Sequence, residues 1–504
     1  MKIIINIELI INLFLLLLFY MHMFQLNSYF SVRYASWVKV NVRKVILRIM
    51  GIVIPVVILL LNNNVSKVIS ITLLAISILL NIPKNKGKIP LKFTGRVKRM
   101  FAMQVLLIVF VCVFGNTYLM LVILNILAFL LCVISNIINY PIEYFIRQYY
   151  INDAKKMIRK MPNLIVIGVT GSYGKTSVKN FLMKTLSAKY EVLATPKNYN
   201  TTMGVVKTIR EELKPIHQIF ICEMGAAKVG DIKEICDIVE PKYGVITSIG
   251  PQHLKTFKSL DNIIKTKYEL YDAVCKNGGI TFLNYDNEYI SKKEVSNVLT
   301  YGIDNKELDY SAYNLKSSAQ GLSFLVKDVL FKTKLIGRHN IVNIVGAIAV
   351  ANYLGVPIER LVTRVREIKS VEHRLQLISR GNLNIIDDSY NSNPVSSKSA
   401  LDTLSEFEGI KIIVTPGLIE LGEDEEKYNS EFGIYMCDIC DYIFIVNSTV
   451  SKYILKGINS TNFSEDKIFM VNSPQVAVEK IMNMNFSDKV TVLLENDLPD
   501  NYNL

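Results

Sequence analysis

The chain has 504 residues, of which half are hydrophobic, and it carries a formal net charge of +13. This length is enough for two to four domains. The mean hydropathy of +0.29, with the apolar excess before residue 140, excludes a single soluble domain. Much of the positive charge flanks apolar segments, so we expect a membrane surface, and no nucleic acid, as its partner. The seven cysteines lack disulfide-like spacing, which favours a reducing cytosolic setting for the polar part.

Five apolar runs occupy the first part of the chain, at about residues 4–24, 45–61, 65–82, 101–115 and 117–139. A bilayer core takes about 20 apolar residues per helix. The runs therefore predict five membrane spans, or four if the last two form one re-entrant hairpin. Only Lys2 precedes the first run and no small-residue cleavage site follows it, so it is interpreted as an anchor and not as a signal peptide.

The basic residues of the connections predict the orientation of these spans. Two connections are rich in them: Arg33, Lys39, Arg43, Lys44 and Arg48 in the first, and Lys84, Lys86, Lys88, Lys92, Arg96, Lys98 and Arg99 in the third. The other two connections carry a single lysine, Lys67. Because positively charged loops stay in the cytoplasm, five spans place the N-terminus outside and everything after residue 140 in the cytoplasm.

A phosphate-binding loop is predicted directly after these runs. Residues 164–169 form a short β-branched apolar run, and apolar residues then recur at helical spacing at Val178, Phe181, Leu182 and Leu186. Between them, Gly171 and Gly174 allow the backbone N–H groups to point at phosphate oxygens. Lys175 would neutralise the β- and γ-phosphates, and the Thr176 hydroxyl would ligate Mg²⁺. The alternative is a tight glycine turn between a strand and a helix.

Short apolar strands then alternate with amphipathic segments, which is typical of a mostly parallel sheet covered by helices. The first strands are predicted at residues 218–222, 243–247 and 279–283. The pattern restarts near residue 371, with strands at residues 384–386, 411–414, 442–446, 467–471 and 489–494. The sequence therefore predicts an N-terminal α-helical transmembrane domain followed by two α/β domains.

Three motifs in this polar region resemble those of one enzyme family. Gly168-Val-Thr-Gly-Ser-Tyr-Gly-Lys-Thr176 resembles the nucleotide loop of the Mur ligases, ATP-dependent amide-forming enzymes of bacterial wall synthesis, and shares their shifted first glycine. The segments Asn198-Tyr-Asn-Thr-Thr-Met-Gly204 and Asp387-Asp-Ser-Tyr-Asn-Ser-Asn-Pro394 match in order. The likeness covers about residues 160–450 and looks closest to the branch that adds D-alanyl-D-alanine to the UDP-N-acetylmuramoyl tripeptide. The apolar runs predict a transmembrane domain at 1–145, and the likeness implies a central ATP-binding domain at 146–370 and a Rossmann-like C-terminal domain at 371–504.

The resemblance implies ATP and two Mg²⁺ ions as cofactors. Glu223, at the end of an apolar strand, matches the family's magnesium ligand beside Thr176, and His253 resembles the histidine of the second metal. Lys267 stands where the family has a lysine carbamylated by CO₂, which turns a cation into a carboxylate-like ligand. Lys175, Glu223, His253 and Lys267 are therefore the expected catalytic residues. Without the resemblance, Glu223 would be a strand-terminating surface residue and Lys267 part of a solvated helix face.

The resemblance also implies a set of nucleotide-binding residues. Asn284 matches the adenine-contacting asparagine, and the start of the helix at His339 and Asn340 matches a segment close to the nucleotide. Arg374 is available for a phosphate, although the glycine that often precedes it in this branch is missing. The full set of implied nucleotide contacts is Gly171, Ser172, Tyr173, Gly174, Lys175, Thr176, Asn284, His339, Asn340, Arg374, Asp388 and Asn391, of which the last two would close over the ATP.

The implied function is an ATP-dependent carboxylate–amine ligase with an acyl-phosphate intermediate, in a multi-pass protein of the bacterial cell membrane with cytoplasmic catalytic domains. The soluble family members carry a UDP-sugar-binding domain where this chain has apolar runs, so the acceptor, from peptidoglycan, capsule or another polymer, is left open. Within enzymes, the alternative is a tethered ligase of soluble substrates, such as a poly-glutamate capsule synthase. Other classes are a P-loop transport ATPase, disfavoured because the apolar runs hold almost no charge, and an inactive scaffold.

Overall fold

The structure is a computed structural model that describes residues 2–61, 63–82, 90–197, 199–252, 254–390, 393–419, 421–484 and 486–496. Some residues singled out in the sequence lie outside these ranges, namely Lys84, Lys86, Lys88, Asn198, His253 and Asn391. The chain divides into two compact units, with the boundary between Gln148 and Tyr149.

The first unit is helical, as its uninterrupted apolar runs predict. Polar side chains begin several helices: Asn63 and Asn116 each accept a hydrogen bond from a backbone N–H of the following turn, and Thr94 does the same. The helices are α1 (Lys2–Leu26), α2 (Ser31–Val40), α3 (Val42–Leu59), α4 (Asn64–Asn81), α5 (Gly95–Phe114), α6 (Thr117–Ile126) and α7 (Ala128–Arg159), the last of which extends past the boundary.

Within the described residues, four helices are long and apolar enough to cross a membrane: α1, α4, α5 and α7. The second predicted span lies in α3, which is not among them because its first half carries Arg43, Lys44 and Arg48. The fifth predicted span is divided at Leu127 into α6 and the start of α7, and the 10 residues of α6 rise only about 15 Å. Four candidate spans therefore stand where five continuous ones were expected.

A chain of buried polar side chains crosses the interior of the first unit. Arg48 of α3 donates to Asn81 of α4. The Asn81 amide donates to Asn12 of α1 at 2.9 Å, and Asn12 donates to Asn125 of α6 at 3.1 Å. Such bonds fix the register of apolar helices. Arg48, which was predicted to lie in the first basic connection, has its guanidinium 3.8 Å from the centre of the Phe19 ring of α1.

The second unit begins with a nine-stranded sheet of strand order β2-β3-β1-β4-β5-β6-β7-β8-β9. Strands from β2 to β7 pair in parallel with their neighbours, and β8 is antiparallel to both β7 and β9. The strands are β1 (Ile165–Thr170), β2 (Val192–Ala194), β3 (Ile219–Glu223), β4 (Tyr243–Ile246), β5 (Ile280–Asn284), β6 (Val298–Ile303), β7 (Tyr310–Ser318), β8 (Gly321–Val326) and β9 (Val329–Thr333).

Helices cover both faces of this sheet, because its central strands are apolar on both sides. Ile167 and Val169 of β1 join the core under α8 and α14, whereas Val166 joins the core under α10 and α12. The helices are α8 (Lys175–Leu186), α9 (Thr202–Glu212), α10 (Asp231–Val239), α11 (Leu254–Phe257), α12 (Leu260–Lys276), α13 (Glu288–Ser291), α14 (His339–Tyr353) and α15 (Ile358–Arg366).

A second, six-stranded sheet follows, of strand order β10-β11-β15-β12-β13-β14. Only its edge strand β10 pairs antiparallel. The strands are β10 (Gln376–Arg380), β11 (Leu383–Asp388), β12 (Ile410–Thr415), β13 (Tyr442–Val446), β14 (Ile468–Val471) and β15 (Val490–Glu495), and the helices are α16 (Pro394–Ser405), α17 (Glu425–Ile439), α18 (Ser451–Ile458) and α19 (Pro474–Asn483).

Every strand predicted from an apolar run is present, with its ends within two residues of the prediction. The expectation of two α/β sheets is confirmed. The sequence analysis missed β2, β6, the antiparallel extension β7–β9 and the edge strand β10. Partly exposed residues interrupt the apolar pattern of these strands, as in the alternating burial of β8.

Candidate functional site

The predicted phosphate loop, residues 171–174, joins β1 to α8. Gly171 and Gly174 have φ angles of +153° and +78°, a region that favours glycine. A Cβ atom at Gly171 would overlap the Thr247 hydroxyl, and one at Gly174 would lie 2.8 Å from Asn343 Oδ1. Both positions therefore need glycine for conformation and for space.

Ser172 and Tyr173 fasten this loop to the segment that follows β4. The Ser172 N–H donates to the Ser248 carbonyl at 2.7 Å, and its hydroxyl donates to the Gly250 carbonyl at 3.0 Å. The Tyr173 hydroxyl donates to the Pro251 carbonyl at 2.8 Å. The two side chains hold the loop in shape, and their contact with the nucleotide stays a prediction.

Lys175, the first residue of α8, folds back over the loop. Its ammonium donates to the carbonyls of Gly171 at 2.7 Å and Ser172 at 3.0 Å. Burial lowers the pKa of Lys175 to about 8; the Glu223 carboxylate opposes this shift and Arg374 adds to it. The lysine thus lies at the loop, where the sequence predicted a phosphate-neutralising charge.

Glu223, at the carboxyl end of β3, is the centre of the site. Its Oε1 accepts from the Thr176 hydroxyl at 3.1 Å and from the Asn200 amide at 3.0 Å. Its Oε2 lies 3.0 Å from Lys179 Nζ, and Glu223 is 1% exposed. Burial raises the pKa of Glu223, but the charges of Lys179 and Lys175 more than offset this, and the pKa lies below its ordinary value. The carboxylate is therefore held ionised.

The Thr176–Glu223 pair fits a magnesium ion, because a hydroxyl and a carboxylate are the hard oxygen donors that Mg²⁺ prefers. No group of three or more His, Cys, Asp or Glu side chains within the described ranges could hold a metal ion. His253, the predicted ligand of a second metal, lies outside those ranges. The second magnesium position thus rests on the resemblance alone.

Lys267 lies inside α12 and is 3% exposed. Its ammonium is 6.0 Å from the centre of the Phe257 ring. Burial lowers the pKa of Lys267 to about 7, and the charge of Lys175 adds to the shift. The solvated helix face that the residue type alone would indicate is therefore wrong, and the structure has a buried amine near the phosphate loop instead.

Arg374 brings the second sheet's domain to the phosphate loop. Its Nη2 lies 3.5 Å from Thr176 Oγ1, and its guanidinium is 4.5 Å from the centre of the Tyr390 ring. The flanking residues His373 and Leu375 have φ angles of +60° and +44°. Left-handed conformations cost non-glycine residues about 1 kcal/mol each, which explains why a glycine is usual before this arginine.

The aspartates that end β11 surround this junction. Asp388 accepts from the Leu375 N–H at 3.1 Å, and Asp387 lies 2.8 Å from Nδ1 of His373. Burial raises the pKa of Asp388 to about 6, against the hydrogen bond from Leu375 and the charge of Arg374. Asn391, predicted to close over the ATP with Asp388, lies outside the described residues.

Three further residues predicted to contact the nucleotide form hydrogen bonds with protein groups. Asn284 donates to the Thr247 carbonyl at 2.7 Å, and Asn340 donates to the Ile336 carbonyl at 2.8 Å. His339 Nδ1 lies 2.8 Å from the Ser399 hydroxyl. Asn284 and Asn340 thus support the backbone around the loop, and their contacts with the nucleotide stay predictions.

Sequence reasoning missed two buried charged residues of this region, Lys179 and Glu495. A signal was present for Lys179, because it follows Lys175 by four residues and so lies on the same face of α8. Glu495 stands at the end of a predicted strand, where a carboxylate is ordinarily solvated, and nothing in the sequence distinguishes it from a surface residue.

Glu495 is fully buried at the end of β15 and accepts from Ser397 at 2.5 Å and Thr415 at 2.6 Å. Burial raises its pKa from 4.5 to about 7. The folded state therefore holds a proton that the unfolded chain releases above pH 4.5, so this contribution to stability is complete below pH 4.5 and is lost as the pH rises through 7. A shift of this size corresponds to on the order of 3 kcal/mol.

Glu495→Gln should remove this dependence. We expect the variant to unfold near the wild-type temperature at pH 5 and several degrees above it at pH 8, measured by calorimetry of the full-length protein in detergent. Glu431→Gln, at an exposed carboxylate of α17, is the control and should follow the wild type at both pH values. If the unfolding temperatures of Glu495→Gln and the wild type differed by the same amount at pH 5 and pH 8, the raised pKa of Glu495 would be contradicted.

A P-loop on a parallel sheet, with a buried carboxylate at the end of the adjacent strand, defines an ATP-binding domain, and Arg374 brings a second α/β domain to its phosphate loop. This combination defines the class of two-domain ATP-dependent ligases. Residues 169–351 match the model of the Mur ligase middle domain, and residues 373–494 match that of the Mur ligase, glutamate ligase domain, together more than half of the chain. The chain belongs to the Mur ligase family, as its motifs predicted.

Individual relatives agree with this. The chain is 28% identical over 354 residues, 68% of its length and 76% of the relative's, to UDP-N-acetylmuramoyl-tripeptide--D-alanyl-D-alanine ligase of Haemophilus influenzae. It is 29% identical to the enzyme of the same name from Bacillus subtilis, over 60% of this chain and 66% of the relative, and so spans just under two thirds of that relative's length.

Solved structures of the same family are also similar to this chain. MurF from Acinetobacter baumannii superposes with a TM-score of 0.63 at 25% identity, over 69% of this chain and 77% of the other. MurF ligase from Thermotoga maritima, solved in complex with ADP, gives a TM-score of 0.62 at 25% identity, over 70% and 80% of the two chains. The family models begin only at residue 169.

Proposed function

We propose that the chain is an ATP-dependent ligase that forms an amide bond on a bacterial cell-envelope precursor. One observation carries this proposal: Lys175, the Thr176–Glu223 pair and Arg374 converge at the start of α8. Phosphoryl transfer needs positioning and charge neutralisation more than a covalent catalyst, and these residues supply both at the point where a helix N-terminus meets a glycine loop.

In the proposed reaction the substrate carboxylate attacks the γ-phosphorus of ATP, and ADP leaves. The amine then attacks the carbonyl carbon of the acyl phosphate, which releases phosphate and a proton. Lys175 and Arg374 offset the charge of the phosphates. Thr176 and Glu223 would hold Mg²⁺, which supplies further charge neutralisation at the phosphate oxygens. Closure of the second domain, with Asp388 and Asn391, would exclude water from the acyl phosphate.

Lys267 is proposed to carry a carbamate. Its neutral amine would attack the carbon of CO₂, forming an N–C bond and releasing a proton, so that an anionic oxygen ligand replaces a cation. Burial at 3% exposure supports this assignment, because burial disfavours the charged ammonium. The carbamate and His253 would then hold the second Mg²⁺.

For the substrates we propose a dipeptide amine of the D-alanyl-D-alanine kind and the carboxylate of a muramoyl peptide, as in the names of the relatives. The first unit supports an acceptor presented at the membrane, free or lipid-linked. A single transmembrane helix is already an effectively irreversible anchor, so four candidate spans exceed what tethering needs.

The basic residues of the first unit differ in how available they are to bind such an acceptor. Arg99 is paired with Glu143 at 2.7 Å, and Arg96 donates to Asn136 at 2.8 Å. Lys92 and Lys98 are exposed. Each lysine would contribute about 1 kcal/mol at an anionic surface or head group, so these two lysines are the proposed contacts.

The experiment measures ligation by full-length protein in nanodiscs, with ATP and D-alanyl-D-alanine, on a lipid-linked muramoyl peptide and on the soluble UDP-linked one. We expect kcat/KM to favour the lipid-linked acceptor by about tenfold, and Lys92→Ala with Lys98→Ala to remove most of that preference. If kcat/KM for the soluble acceptor were equal or higher, the first unit would act only as an anchor and the proposed membrane-presented acceptor would be wrong. Use of glutamate in place of the dipeptide would favour the capsule-type alternative.

The membrane orientation is proposed from the loop charges and is tested with reporter fusions. Reporters after Lys160 and at the C-terminus should be cytoplasmic, and one at Asn63 should be external. This arrangement has an odd number of crossings, so it requires α3 to cross the membrane together with the four candidate spans. The position after α7 is used because α7 continues without interruption to Arg159. An external reporter after Lys160 would contradict both the orientation and the access of the site to ATP.

A further inference from the structure

Lys179 occupies the far side of the Glu223 carboxylate. It lies on α8 one turn after Lys175, and its side chain is 2% exposed. The ammonium is 3.0 Å from Glu223 Oε2 and donates to the carbonyl of Lys197 at 2.7 Å. It is thus enclosed in protein, in contrast to Lys175, which lies over the phosphate loop.

The two oxygens of Glu223 are divided between different partners. Oε2 is paired with Lys179, and Oε1 meets the Thr176 hydroxyl and the Asn200 amide. This arrangement presents Oε1 beside Thr176, while the ion pair with Lys179 occupies Oε2. The ammonium also balances the charge of an anion that is only 1% exposed.

The second contact of Lys179 reaches the segment that carries Asn200. Lys197 has a φ angle of +46°, a left-handed conformation that a non-glycine residue adopts at a cost of about 1 kcal/mol. The hydrogen bond to its carbonyl holds this bend. One ammonium therefore connects α8, the end of β3 and the segment before α9.

We propose that Lys179 is a positioning residue that fixes Glu223 so that Oε1, beside the Thr176 hydroxyl, is the oxygen offered to the magnesium ion. The inference rests on the proposed role of Glu223. It assigns Lys179 no contact with the nucleotide, so its loss should weaken the metal site and leave the phosphate loop intact. Groups that orient metal ligands typically change metal affinity by about 10- to 100-fold.

The test compares full-length wild type, Lys179→Met and Lys179→Arg for Mn²⁺ affinity by electron paramagnetic resonance, with a non-hydrolysable ATP analogue bound. We expect Lys179→Met to weaken Mn²⁺ binding by about tenfold or more. Lys179→Arg, which keeps the charge, should recover part of the lost affinity. Binding of the metal-free analogue should be unchanged. Lys184→Met, on the same helix at a surface ion pair with Glu367, is the control and should match the wild type.

The assignment would be overturned if a folded Lys179→Met variant bound Mn²⁺ within about twofold of the wild-type affinity. Such a change is well below the one expected on loss of a group that orients a metal ligand. Should that variant lack a cooperative unfolding transition, Lys179→Gln takes its place under the same criterion, because its amide is polar but uncharged. Glu223→Gln separates the two proposals. If it leaves Mn²⁺ affinity unchanged, the proposed metal role of Glu223 fails, whereas a loss in Glu223→Gln without one in Lys179→Met refutes only the role of Lys179.

Discussion

Lys175→Ala is expected to lower the ligation rate by roughly a thousandfold or more, since it removes a charge at the phosphates in a water-excluded site. The ammonium donates to two carbonyls of its own loop and joins no apolar core, so the fold should persist. The measurement is product formation by full-length protein, together with its unfolding temperature.

Lys184→Ala is the matched control for this substitution. Lys184 lies on the same helix, and its ammonium is 2.8 Å from the carboxylate of Glu367, which is half-exposed. An exposed ion pair contributes little stability, typically under about 1 kcal/mol, so activity and unfolding should stay near wild type. Unchanged ligation by Lys175→Ala would refute the phosphate loop.

Lys267→Ala should lose about a hundredfold or more in rate, because the proposed carbamate supplies a metal ligand that no neighbouring group replaces. If the carbamate is what matters, formate or acetate should restore part of the rate by placing a carboxylate in the space left by the side chain. The rate is measured with and without these anions, and with and without added bicarbonate for the wild type.

Lys265→Ala, on the same helix two residues earlier and exposed, is the control and should keep wild-type activity without any response to formate. Lys267→Glu would retain activity if a carboxylate at this position serves the metal. A fully active Lys267→Ala would rule the metal role out.

Features that depend on local pattern were predictable from the sequence. The phosphate loop follows from two glycines, a lysine and a threonine between a strand and a helix, and the central strands follow from short runs of β-branched residues. Glu223 was placed correctly because a strand next to the phosphate loop must end beside it in a parallel sheet.

Features that depend on which surfaces meet in space were not predictable. The chain from Arg48 to Asn125 links four helices through bonded residues up to 113 positions apart, and each member alone reads as an isolated polar residue in an apolar run. Lys179 reads as one more lysine of a polar helix until the fold places the Glu223 carboxylate 3.0 Å away. Lys267 lies on the buried face of α12, at helical spacing from Ile263 and Leu270, but a lysine is ordinarily solvated, so its residue type pointed to exposure.

The central claim, that ATP activates a carboxylate for attack by an amine, is tested most directly by oxygen-isotope transfer. Full-length protein in nanodiscs is given ATP, D-alanyl-D-alanine and a muramoyl peptide whose terminal carboxylate carries oxygen-18 in both oxygen positions, and the released phosphate is analysed by mass spectrometry. An acyl phosphate predicts one oxygen-18 atom in each phosphate, formed only when both acceptor and amine are present. Phosphate without the label, released at the same rate in the absence of the amine, would contradict the ligase and favour a transport ATPase.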